Sequence, residues 1–122
     1  MQTNAGQLTP NDVAANLAKL ARELDMTIRQ LESAERDLVE RRAAADLAFS
    51  QAFLAAEGSV DARKHQAAVS THQQRLAADV AEALVRHLRR RIDGIKVRVE
   101  VGRSVGAAVR TELNLAGLED TP

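Results

Sequence analysis

Cysteine, tryptophan and tyrosine are absent from this 122-residue chain, and phenylalanine and proline occur only twice each. Without a thiol there is no disulfide framework, thiolate nucleophile, iron–sulfur cluster or Cys-ligated zinc site, and a reducing, cytoplasmic setting is expected. An excess of charge is lacking too: 17 Lys and Arg balance 17 Asp and Glu. No apolar run approaches the ~20 residues of a membrane span. Met1 to Leu8 lack the basic start and apolar core of a secretory signal. At this length a single small domain is expected.

What is present is helical periodicity. Thr9 can cap a helix, Pro10 suits its first position, and Asp12 lies three residues beyond the cap. From Asp12 to Glu57 there is neither Gly nor Pro, while Leu17, Leu24, Leu31, Leu38, Ala45 and Ala52 recur every seven residues, with Val13, Leu20, Ile28 and Phe49 alongside. Gly58 and Ser59 read as a helix stop and a new N-cap, followed by Asp61 in the first turn. A second apolar series carries Val69, Leu76, Val80, Leu84, Leu88, Ile92, Ile95, Val99, Val105 or Gly106, Val109 and Leu113.

These patterns predict an all-α fold, a long antiparallel two-helix coiled-coil hairpin turning at Gly58-Ser59. Helix 1 is expected over about 10–57 and helix 2 over about 60–116, together a hairpin at 9–117 between tails at 1–8 and 118–122. A fold-back at Gly58 pairs residues whose numbers sum to roughly 116: Leu17 with Val99, Leu24 with Ile92, Ile28 with Leu88, Leu31 with Leu84 or Val85, and Phe49 with Ala67. Charge follows the same arithmetic, putting Asp25, Glu32 and Glu35 near Arg91, Arg86 and Arg89; exposed ion pairs of ~0–1 kcal/mol mainly set register. Two helices alone bury a narrow strip, so a dimer or larger bundle is expected.

Ile95, Val97, Val99 and Val101 alternate with polar residues between Gly94 and Gly102, an edge-strand signature that competes with helix. Helix is the better reading, because the seam arithmetic continues through Ile95 and Val99, with Gly94, Gly102 and Gly106 weakening or bending it. Gly102-x-x-x-Gly106 lacks the Lys-Ser/Thr ending of a phosphate loop and reads as a place of close helix approach.

Catalytic chemistry is hard to assemble from what remains. Asp61, His65 and His72 share a helical face, but no metal-binding motif such as H-E-x-x-H accompanies them, and solvated histidines are the simpler reading. Ser33, Ser50, Ser59, Ser70 and Ser104 lack a nucleophile elbow. Phe49 and Phe53 near the turn read as core. The chain is therefore read as a non-enzyme with no cofactor, metal or small-molecule substrate.

The strongest compositional feature is basic: Arg86, Arg89, Arg90, Arg91, Lys96, Arg98, Arg103 and Arg110 meet only Asp93 and Glu100 within their span. In the hairpin, Lys96, Arg98, Arg103 and Arg110 project past most of the acidic first helix, toward Val13 and the N-terminal tail. Arg98, Arg103, Val105, Val109 and Arg110 are the expected protein-partner surface. Direct nucleic-acid binding through Lys96, Arg98, Arg103 and Arg110 is the alternative, although Tyr and Trp for base stacking are missing.

Ala52-Phe53-Leu54-Ala55-Ala56-Glu57-Gly58-Ser59, Arg63-Lys64, Ala83-Leu84-Val85-Arg86, Arg91-Ile92-Asp93 and Val101-Gly102-Arg103-Ser104 resemble a group of short all-helical coiled-coil proteins of bacteriophages and prophages, notably of actinobacteria. The likeness spans roughly residues 15 to 115 and carries no catalytic residue across. It implies a phage accessory factor working through a protein partner in the host cytoplasm, in DNA replication or recombination, including control of recombinase direction. A structural spacer or virion component is a further alternative.

Overall fold

Thr9 and Asp12 open the first helix as a reciprocal cap. In the computed structural model, which describes residues 7–119, the Thr9 N–H donates to Asp12 Oδ2 at 3.0 Å and the Asp12 N–H donates to Thr9 Oγ1 at 3.2 Å. Helix α1 then runs Pro10–Ala55, 46 residues without a Gly or Pro after the first position. Gly58 takes the positive φ of 106° that ends it, and Ser59 caps α2, Val60–Ser70, by accepting from the Ala62 N–H at 3.2 Å. Gln66 Nε2 donates back to the Glu57 carbonyl at 2.9 Å, closing the connection.

A single residue, Thr71, separates α2 from α3, which spans His72–Glu119. Backbone bonds pass through it: Thr71 N–H donates to the Ala67 carbonyl and Arg75 N–H to that of Thr71. The Ala67 carbonyl also accepts from Thr71 Oγ1 at 2.7 Å and from Ser70 Oγ at 3.3 Å. Hydroxyls bonding back to a preceding carbonyl distort a helix, which accounts for the interruption. The second helix of the sequence reading is thus two, and it continues past 116. Ile95 to Val101 are helical, with no strand among the described residues. The expected tails at 1–8 and 118–122 lie mostly outside the described residues.

The chain divides into two compact units. The central unit is Ile28–Arg90; the terminal unit takes in the described residues up to Thr27 and from Arg91 onward. In the central unit Ala34, Leu38, Ala81, Val85 and Leu88 form a buried cluster against which Leu31 packs. The Arg42 guanidinium meets the Glu82 carboxylate across it at 3.5 Å. In the terminal unit Leu20, Thr27, Ile92 and Ile95 are buried, and Thr27 satisfies its hydroxyl on the Glu23 carbonyl at 2.7 Å.

The pairing register differs from the expected one. Val13 and Leu17 lie against Gly106 and Gly102, so Leu17 meets a position three residues beyond Val99. The first turn of α2 leaves Val60 exposed, and its buried surface begins only at Ala67. Ile28 and Phe49, placed in the seam by sequence, are exposed, as are Val69, Leu76, Val80, Leu84 and Leu113; Thr27, Ala34, Ala67, Thr71, Ala78 and Ala81 are buried. Glu32 and Glu35 sit with Arg36, Val39 and Glu40 along an outer face of α1.

Candidate interaction surfaces of the terminal unit

The site begins at two missing side chains. A β-carbon at Gly102 would lie 2.9 Å from Leu17 Cδ2, and one at Gly106 would lie 3.0 Å from Val13 Cγ1. Glycine therefore lets α1 and α3 approach closely, as the Gly-x-x-x-Gly spacing suggested. Gly94 has no such neighbour within 4 Å.

Close approach leaves a groove on each side of the contact. One has a floor of Pro10, Val13, Ala14, Leu17 and Gly106 and a rim of Arg103 and Arg110, with a volume of about 280 Å³. The other, about 350 Å³, is walled by Leu8, Leu20, Val97, Val101 and Val105, with Asp12, Asn16 and Arg98 at its edges. Val97, Val101 and Leu8 keep more than half of their surface exposed.

Each sequence-predicted residue has a definite place. Arg98 is exposed beside the apolar groove, whereas Arg103 and Arg110 stand over the other one. Arg103 Nη1 holds Glu100 Oε1 at 3.2 Å on the surface. Val105 and Val109 are half-buried and so belong to the packed face, not to a free end. Residues 110–117, by contrast, are exposed throughout. The expectation that the basic residues project beyond the pairing is corrected accordingly: Val13 packs at Gly106, level with Arg103 and Arg110. Lys96, Arg103 and Arg110 nevertheless fall seven residues apart, so they share one edge of α3.

Sequence reasoning missed the apolar groove. Its signal was Val97 and Val101, one helical turn apart and outside the series taken as core. It also missed the small side chains of Pro10 and Ala14 that open the arginine-rimmed groove.

Asp12 is held below the ordinary aspartate value of 3.8, first by the Thr9 backbone N–H and then by the Thr9 hydroxyl; its surroundings identify it as a helix cap. His65, His72 and His87 are exposed, and among the described residues no three His, Asp or Glu side chains converge as metal ligands. No helix among the described residues is long and apolar enough to cross a membrane. Compared with known protein families, with curated proteins and with solved structures, the chain has no match.

Proposed function

We propose that the chain is a coiled-coil interaction protein that works without catalysing a reaction, capturing a protein partner on the terminal unit in the cytoplasm of a bacterial host. The observation that carries this reading is the groove with an apolar floor and an arginine rim. Its chemistry suits an amphipathic helix with aliphatic side chains on one face and carboxylates beside them: the aliphatic groups cover the floor, and the carboxylates meet Arg103 and Arg110. Arg98 and Val105 line the neighbouring apolar groove, and Val109 is half-buried on the same helix. Steps of three and four between buried positions, such as 78, 81, 85, 88, 92 and 95 on α3, favour a coiled-coil geometry.

The likeness to phage and prophage helical proteins makes a replication or recombination factor of a phage the partner to try first. Fluorescence anisotropy with a labelled acidic amphipathic peptide provides the direct test. Saturable binding that weakens with salt is expected, and the Arg103→Glu/Arg110→Glu double variant should lose at least tenfold in affinity, about 1.4 kcal/mol or more, at unchanged helicity. Equal binding by that variant discards the groove.

The seven-residue basic edge of Lys96, Arg103 and Arg110 favours direct binding of DNA or RNA as a second reading, with Arg98 nearby. Three phosphate contacts give a slope of log affinity against log salt of roughly −2 to −3. Absence of duplex and single-strand binding at low salt eliminates that reading.

A further inference from the structure

The central unit carries a second apolar face on α3 that the α1 packing leaves uncovered. Gln73, Ala77, Val80, Leu84 and His87 follow one another at steps of four and three, the spacing of a helix seam, with Leu76 and Ala83 alongside. Leu76, Val80 and Leu84 are 46%, 61% and 46% exposed. Together with Asp37 and Arg41 of α1, this face bounds an apolar groove of about 360 Å³.

The face reads the same in both directions. Outward from Val80 stand Ala77 and Ala83, then Leu76 and Leu84, then the polar Gln73 and His87. Such a face pairs with an antiparallel copy of itself about a two-fold axis, because each side chain then meets the residue type it would choose. Val80 falls on Val80 of a second copy at the axis, Leu76 on Leu84, and the paired alanines let the helices close. No like charges are brought together: Arg75, Asp79, Glu82 and Arg86 lie off the face at 100° per residue. At the rim Asp37 and Arg41 already neutralise each other, with Arg41 Nε donating to Asp37 Oδ2 at 2.9 Å.

The exposed area is large enough to supply such a cover. The chain exposes 9474 Å², against ~6,400 Å² for a compact monomer of its mass. Setting aside ~1,400 Å² as the most that the nine undescribed residues contribute leaves a surplus of about 1,700 Å². A stable dimer of standard size needs only ~800 Å² from each chain.

We infer that a second copy of this chain occupies the α3 face centred on Val80, forming an antiparallel two-fold dimer. This deepens the helix-pairing reading given above and does not depend on the arginine-rimmed groove. Light scattering and sedimentation velocity on the full chain should give twice the monomer mass at micromolar concentration. Val80→Glu should yield a monomer with unchanged circular dichroism, since the side chain is exposed in the single chain. The lack of native cysteine makes Val80→Cys a clean probe: mild oxidation should produce a covalent dimer. Leu76→Cys alone should not, because its copy lies about 12 Å along the helix, while mixed Leu76→Cys and Leu84→Cys chains should cross-link. A monomer at every concentration overturns the inference, as does a dimer that Val80→Glu leaves intact and Val80→Cys fails to link. Peptide binding at Arg103 and Arg110, measured on the same proteins, reads the functional proposal separately.

Discussion

Gly94 and Gly102 are the same residue type in the same helix with opposite physical meaning. Gly94 has open space where a β-carbon would go, so Gly94→Ala should raise stability by about 0.5–1 kcal/mol through helix propensity, read as a higher thermal midpoint. At Gly102 the space belongs to Leu17, and Gly102→Val should cost about 1–3 kcal/mol from overpacking in the same melting experiment. Asp12 supplies the pH dependence at this scale. Its folded carboxyl loses its proton more readily than the unfolded one, so the cap stabilises α1 above the ordinary value of 3.8 and fades as pH falls through the lowered one. Thermal melts of the native chain and Asp12→Asn should therefore differ at neutral pH and converge in strong acid. A difference that persists unchanged in acid contradicts the cap.

At the scale of elements, the heptad stripe of α1, its Thr9 cap, the Gly58-Ser59 turn and the helicity of residues 95–101 were legible in the sequence. Large aliphatics repeating at helical spacing, and a glycine followed by a capping serine, leave few alternatives. The inward face of α3 near its start was not legible. That stretch is apolar on two sides, and hydrophobicity alone assigned the seam to Leu76 and Val80 instead of Ala78 and Ala81, while leaving Leu84 and Val85 as alternatives of which Val85 is the buried one. Small side chains contribute little apolar area yet allow helices to approach, so burial chose the alanines. Thr71 was missed for a related reason: its hydroxyl finds a partner one turn back, making a buried threonine that distorts the helix without an obvious breaker. The Arg42–Glu82 ion pair should add no more than about 1 kcal/mol in a double-mutant cycle, because both side chains remain substantially exposed.

At the scale of the whole molecule, function rests on which residues the helices place beside one another. The basic residues were readable as candidates from composition, but the groove beneath Arg103 and Arg110 exists only because α3 meets α1 at Gly102 and Gly106. A three-residue change of register puts different side chains on that floor. Oxidation of paired cysteines in an otherwise thiol-free chain tests this most directly. The Leu17→Cys/Gly102→Cys variant should form an intramolecular disulfide readily under mild oxidant, and more completely than Leu17→Cys/Val99→Cys. Preferential closure of the pair at 17 and 99 contradicts the register and the groove built on it.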